Sequence, residues 1–347
     1  MNKVIDVILP LFNAEDTIAD ALESLRGQSY PAWECIIIND GSTDKTLEIL
    51  SDFKRRDSRF KIIRIPHSGI VKALNTGLEI SSAPYIARMD ADDISLPERF
   101  AKQIDFLQKN PEIDVVSCLV EHNPIHENQK GFAHYVDWTN QIITPQDHFI
   151  NRFVESPIVH PTVMFRKELI ENFGGYSQNN VTEISNFDNA KNCPEDYELW
   201  LRWMQKGVSF AKIPEKLFHW TDRTDRLSRT HKFYSTEAFY ECKTFYLVSG
   251  PLKRCKKVGI CGAGRLTRKR AELLTNYGKE IIFYVDIDPR KIGQKIHKRP
   301  VFPVEEIEKM PDVPLISYLG SRGAREDIRN RLKGSKYIEG KNFWCAA

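Results

Sequence analysis

No stretch of about 18 consecutive apolar residues occurs in this chain of 347, so no membrane-spanning helix is expected. A strong charge imbalance is also missing. Fifty basic against 47 acidic side chains leave +3, which argues against nucleic acid as a partner. Local basic clusters remain free to meet phosphates or an anionic membrane face. The seven cysteines are scattered and include no Cys-x-x-Cys pair, which points away from zinc and from a disulfide framework. A reduced, cytoplasmic compartment is the expectation. The opening residues, Met1 to Pro10, are too short and too interrupted for a signal peptide. With 41% hydrophobic and 28% charged residues, the composition is that of a folded protein, and the length predicts about two domains.

What is present is a strand–helix alternation. Val4 to Leu9 reads as a buried strand, followed by a helix through about Arg26 with Ile18, Leu22 and Leu25 on one face. Asn13 is the expected cap of that helix, with Glu15 and Asp16 at its positive end and Gly27 closing it. Further strands are predicted at Trp33–Ile38, Phe60–Ile65 and Tyr85–Met89, separated by helical patterns. This is the signature of an α/β fold with a mainly parallel central sheet covered on both faces.

The last of these strands ends in Asp90, Asp92 and Asp93. Ligands of open α/β sheets bind beyond the carboxyl ends of the strands, so these acids are placed at a site. Asp90 and Asp92, two apart, would share one side while the strand persists. Hard oxygen ligands of this kind suit Mg²⁺ or Mn²⁺ shared with substrate phosphates. Two other strand ends reach the same rim, at Phe12/Asn13 and at Asp40. Phe12 reads equally as a stacking face for a base and as core filler. Asp40 is either an acceptor for a base N–H or a turn-former in Asp-Gly-Ser.

Several segments together resemble family 2 glycosyltransferases of the GT-A fold. They are Leu9-Pro10-Leu11-Phe12-Asn13, Ile37 to Asp44, Gly69 to Gly77, Met89-Asp90-Ala91-Asp92-Asp93, His160 to Arg166 with Gly174-Gly175-Tyr176, and Pro194 to Arg202. The resemblance covers residues 1 to about 235 and implies an inverting transferase using an NDP-sugar, most often a UDP-sugar. By that similarity Pro10, Leu11, Phe12, Asn13, Glu15, Asp40, Lys72, Asn75, Asp90 and Ala91 contact the nucleotide-sugar. Asp92 holds a divalent metal (Mn²⁺ or Mg²⁺), Asp196 is the base, and Glu195 supports it. Arg226 and Arg229 lie in a polar loop, either closing on the diphosphate or simply solvated. The chain departs from the family at Leu74, where many members have Arg, and at Phe12, where many have Tyr; Lys72 is the candidate replacement charge. His122, His126, His134 and His148 fit no tight ligand set and are expected at the surface or in an acceptor loop. His219 is expected as a half-buried strand residue rather than a ligand.

The expected organisation is a GT-A domain at 1–235, a linking helix at 236–252, and a small Rossmann-like α/β domain at 253–347. Gly262 and Gly264 open a helix, and Asp286 follows about 20 residues on, as in a nucleotide-binding unit, although Thr267 stands where a third glycine would be. Phosphate binding and tight strand–helix packing are both open for that turn. Two rival readings remain at this stage: an NAD-dependent sugar-nucleotide oxidoreductase, and a nucleotide-sugar-binding protein without transfer. The favoured acceptor is a glycan or lipid-linked molecule in surface polysaccharide assembly, met at the inner face of the membrane.

Overall fold

The computed structural model describes residues 3–124, 130–177, 193–223, 226 and 231–347. Two compact units result. One comprises Met1–His148, Ile158–Asn180 and Glu195–Thr230; the other comprises Phe149–Pro157, Val181–Pro194 and His231–Ala347. No helix of the described residues is long and apolar enough to cross a membrane.

The first unit is built on strands β1 (Ile5–Leu11), β2 (Trp33–Asn39), β3 (Phe60–Arg64), β4 (Tyr85–Arg88), β5 (Ile94–Ser95), β6 (Val115–Pro124), β7 (Met164–Arg166) and β8 (Phe210–Asp222). They form one sheet in the order β3-β2-β1-β4-β7-β6-β8-β5. The first four run parallel, and β7 is antiparallel to both β4 and β6. All seven residues of β1 are buried, as a parallel strand covered on both faces requires. Ile5, Val7 and Leu9 enter one apolar cluster and Ile8 another, following the alternation of the pleat.

Among the described residues up to 205, the α-helices are α1 (Ile18–Arg26), α2 (Thr46–Arg56), α3 (Ile70–Ile80), α4 (Arg99–Lys109), α5 (Lys130–Asn140), α6 (Pro145–Asn151), α7 (Glu168–Phe173) and α8 (Glu195–Gln205). α1 buries Ile18, Ala21, Leu22 and Leu25, the helical stripe read from sequence. It starts later than expected, and Asn13 does not cap it: Thr17 holds the cap position. Asn13 adopts a left-handed φ of 48°, and its side chain turns to another loop. α3 lies close to β1, since a Cβ on Gly77 would come within 2.6 Å of Ile8 Cγ2. The sequence of α8 places Tyr197, Trp200, Leu201 and Met204 along one apolar side. Leu199 and Trp203 are buried along with Tyr197, Trp200, Leu201 and Met204, making it a core helix nearly all round.

The second unit carries α9 (Thr236–Ser249), whose first turn is capped by Ser235 Oγ accepting from Ala238 N at 3.2 Å. Strands β9 (Lys257–Cys261), β10 (Glu280–Asp286), β11 (Lys295–Ile296), β12 (Arg299–Pro303), β13 (Leu315–Ser317) and β14 (Phe343–Cys345) form its sheet in the order β11-β12-β10-β9-β13-β14. Apart from the antiparallel edge β11, the order is third, second, first, fourth, fifth, as in dinucleotide-binding sheets. α10 (Arg265–Asn276) follows β9, and α11 (Ala324–Arg331) lies between β13 and β14.

Candidate active site

The carboxyl ends of β1, β2 and β4 bring the sequence-predicted residues to one rim of the first unit. Pro10 and Leu11 are still in β1, and Phe12 beyond them is 45% exposed. Its ring stacks on His67, with centroids 4.2 Å apart and planes at 30°. His67 was not singled out from sequence. Residues 13–15 are laced to the β2–α2 turn. Asn13 Oδ1 accepts from Thr43 N at 2.9 Å, and Asn13 N donates to Ser42 Oγ at 2.9 Å. Glu15, expected at the start of α1, instead accepts from Lys45 N at 2.9 Å, at the positive end of α2.

Asp40 is buried at the end of β2. Oδ1 accepts from Ser68 N at 2.7 Å and Oδ2 from Gly69 N at 2.9 Å, with His67 Nδ1 3.0 Å from Oδ2. A carboxylate has about four acceptor positions, so three contacts leave one for a ligand. Lys72 is exposed on α3. Asn75 commits both ends of its amide to Tyr176: Nδ2 donates to the carbonyl at 2.8 Å, and Oδ1 accepts from the N–H at 3.0 Å. The structure thus sets Asn75, expected at the nucleotide, to hold the Gly174–Tyr176 turn. Asn75→Ala removes both bonds and leaves a half-buried backbone amide and carbonyl without them. A stability loss of about 2 kcal/mol is expected, measurable as a lowered urea midpoint at constant slope.

The acidic turn follows β4, which ends at Arg88. Because the strand stops before the acids, the two-residue period does not govern them. Oxygens of Asp90, Asp92 and Asp93 instead converge to within 4.8 Å of one another, with Ala91 half-buried between them. Asp93, noted in sequence but not picked as a ligand, is fully buried. Its Oδ1 accepts from Thr221 N of β8 at 2.8 Å, while Oδ2 has no hydrogen-bond partner among the described residues. Burial and then the charge of Asp90 push the Asp92 carboxyl up to about 6; burial and then Asp92 push Asp93 well above its usual range. Three crowded hard-oxygen donors, one with an orphaned buried atom, fit a divalent cation such as Mg²⁺ or Mn²⁺. Arg226 stacks over the Trp220 ring at 4.6 Å, and its charge acts on Asp92 and Asp93. Arg229 lies outside the described residues, as does His126.

Glu195 and Asp196 occupy the first turn of α8. Asp196 Oδ1 accepts from Tyr197 N at 2.7 Å. Burial, followed by the neighbouring Glu195, pushes the Asp196 carboxyl up to about 8. Beside it, His160 Nε2 and the Tyr176 hydroxyl lie 2.7 Å apart, both rings buried. Burial and then the Arg88 charge hold His160 neutral, well below its ordinary range. Arg88 itself, 3% exposed, pairs with Asp90 through Nη2 and Oδ1 at 2.7 Å. Sequence reading passed over Arg88 as a strand residue, because its strand looked apolar throughout.

The histidines divide differently from expectation. His148 is wholly buried rather than at a surface or acceptor loop. Its Nδ1 is 2.9 Å from Thr144 O, and burial followed by the Lys212 charge lowers it to about 4. His134 is exposed on α5, and His122 Nε2 lies 3.7 Å from Asp222. His219 sits in β8 opposite Ile94 of β5, with Nε2 3.2 Å from Glu121, and does not belong to the three-acid group.

In the second unit, Gly262 follows β9 with φ +91°, where a Cβ would meet Leu319 Cδ2 at 2.6 Å. Gly264 has open space around it and precedes α10 without a side-chain cap. Asp286 fills its acceptor positions internally. Oδ2 takes Ala263 N at 2.7 Å and Lys291 Nζ at 3.3 Å; Oδ1 takes Ile287 N and Asp288 N. Asp286 thereby braces the glycine turn from within.

Residues 6–174 match the profile of Glycosyl transferase family 2. The chain is similar to the amylovoran biosynthesis glycosyltransferase AmsE of Erwinia amylovora, 32% identical over 216 residues, covering 61% of this chain and 73% of the relative. It is also similar to the Escherichia coli UDP-Gal:alpha-D-GlcNAc-diphosphoundecaprenol beta-1,3-galactosyltransferase, 31% identical over 209 residues, 60% and 68% of the two chains. Among solved structures, TarS 1-349 of S. aureus in complex with UDP-GlcNAc superposes with a TM-score of 0.55 at 17% identity, over 79% of this chain and 71% of that TarS fragment, a likeness of fold. With a matched relative above 30% identity and most of its length covered, the chain belongs to glycosyl transferase family 2 and is a glycosyltransferase built on the GT-A fold.

Proposed function

We propose that the first unit transfers a sugar from an NDP-sugar, a UDP-sugar in the favoured case, to a glycan or lipid-linked acceptor, with inversion at the anomeric carbon. The observation that carries this reading is the convergence of Asp90, Asp92 and Asp93 after β4, one with an orphaned buried oxygen, beside a buried arginine. Arg88 bonds Asp90 of the acidic turn and acts electrostatically on Asp196 of α8. Asp40 offers its remaining acceptor position to a base N–H, and Phe12 with His67 gives the base a flat apolar neighbour. Asp90 meets the ribose. Asp92, with Asp93 behind it, would hold Mg²⁺ or Mn²⁺, which supplies charge neutralisation to the diphosphate. Arg226 adds a guanidinium for the same leaving group.

In the transfer step the acceptor oxygen bonds to the anomeric carbon as the bond to the diphosphate oxygen breaks. Asp196 takes the hydroxyl proton, and Glu195 keeps that carboxyl's affinity for a proton high. A base with a pKa near working pH is the effective kind. Relatives named for amylovoran biosynthesis and diphosphoundecaprenol chemistry support a role in surface polysaccharide assembly.

The test is a thermal-shift panel of UDP, GDP, dTDP and NAD with and without Mn²⁺. A ligand that binds only the native state raises the midpoint. A rise with one nucleoside diphosphate that requires Mn²⁺ is the expected outcome. A rise with NAD alone, indifferent to metal, would move the chemistry to the Gly262–Gly264 turn and overturn the proposal.

A further inference from the structure

We propose that Arg88 is a positioning residue for transfer: one buried guanidinium fixes Asp90 on the donor side and lends its charge to Asp196 on the acceptor side. The inference rests on the reading of Asp196 as base and adds to it the group that couples the two halves of the site.

The geometry is over-determined. Arg88 N donates to Val163 O at 3.0 Å, and Arg88 O accepts from Arg99 Nη2 at 2.8 Å, so the backbone is pinned on both sides. Arg99, itself fully buried, also donates to Pro161 O at 3.1 Å, which ties the His160–Thr162 turn to the same point. At the tip, Nη2 pairs with Asp90 at 2.7 Å and Nη1 donates to Met89 O; Nε has no partner among the described residues. Burial works against this charge, yet Asp90, Tyr176 and Glu195 outweigh it and hold the guanidinium above its ordinary range.

A buried cation without a matched acid would be strongly destabilising, and Arg88 has one acid in contact and two more within electrostatic reach. The groups that bear on Asp196 include Glu195 and the Tyr197 N–H on its own helix, Arg88 from β4 and Tyr176 from the turn after α7. His160 completes the surroundings as a neutral partner of Tyr176, with Arg88 itself helping to hold its proton off. The Tyr197 N–H and Arg88 both stabilise the ionised base, and Arg88 does so with a full charge. Its planar fork also orients Asp90, which a lysine ammonium cannot do in the same way.

The experiment compares Arg88→Met and Arg88→Lys with the parent and Asp196→Asn. It measures UDP release from UDP-glucose, UDP-galactose and UDP-GlcNAc with Mn²⁺ across pH, together with the UDP-induced thermal shift. For Arg88→Met the expected result is a fall in kcat of about a hundredfold and a displacement of the low-pH limb upward by about one unit. The UDP-induced shift should be smaller, because Asp90 is no longer held. Arg88→Lys keeps the charge and loses the fork, so its limb stays at the parent position while the UDP shift is reduced. A purely structural arginine would lower the midpoint in both variants and leave the limb in place, which overturns the proposal. If Arg88→Met fails to fold, Arg88→Lys with parent kcat and parent UDP shift overturns it equally. Asp196→Asn separates the two levels: activity in that variant sinks the base reading, whereas an inactive Asp196→Asn beside an unchanged Arg88→Met sinks only the present inference.

Discussion

Asp196→Asn is expected to lower sugar transfer by about a thousandfold while UDP with Mn²⁺ still raises the thermal midpoint as in the parent. The amide keeps the shape of the carboxyl and its bond from Tyr197 N but cannot take a proton. The parent should show a rate that climbs with pH toward about 8, because burial and Glu195 raise the carboxyl to that value and only the ionised form is a base. Stability moves the other way. A carboxyl near 4 when unfolded and about 8 when folded binds its proton more tightly in the native state, so the parent loses stability as pH rises through that window. Asn removes this penalty. At pH 8 the variant should be more stable by about 1–2 kcal/mol, with the gap closing toward pH 4. A variant that transfers at the parent rate would remove Asp196 from the mechanism, whatever its stability.

Asp92→Ala should abolish the Mn²⁺-dependent part of UDP binding. With UDP at a hundred times its Kd, the parent gains about 2.7 kcal/mol of stability, and the variant should gain almost none. Misfolding cannot mimic this result if the unliganded variant is at least as stable as the parent. That is the expectation at neutral pH, because burial and Asp90 already disfavour the Asp92 charge. A calorimetric titration with Mn²⁺ and UDP together checks it; parent-like heats would place the metal on other residues.

Much of this architecture was legible in the sequence, and the failures have physical causes. The parallel half of the sheet could be read because β1, β2 and β3 are separated by helices with regular apolar spacing. β5 and β7, two and three residues long, carry no period at all, so their antiparallel pairing was invisible. The acid turn was found from composition, yet its geometry was misjudged: β4 stops at Arg88, and Asp93 joins Asp90 and Asp92. Asn13 looked like a cap because Asn is a good one, but a left-handed backbone turned it toward Thr43. The distant partners of Arg88 and Asn75 were not legible for a common reason. Both act through partners more than 10 residues away in sequence or across the sheet, at Tyr176, Glu195 and Asp196, and no local pattern encodes such pairings.

The grip on Asp40 has a consequence for how this chain tolerates mutation. Both of its short amide contacts come from main-chain N–H groups, of Ser68 and Gly69. The side chain at position 68 enters neither bond directly, its hydroxyl donating instead to Pro66 O at 2.6 Å, so residues other than proline keep the donor there. Position 69 is more restricted: its φ of +87° is one that L side chains rarely adopt, so almost any replacement would redirect the amide. A saturation library over these neighbours should recover nearly every residue at 68 and almost only glycine at 69, although neither side chain touches Asp40.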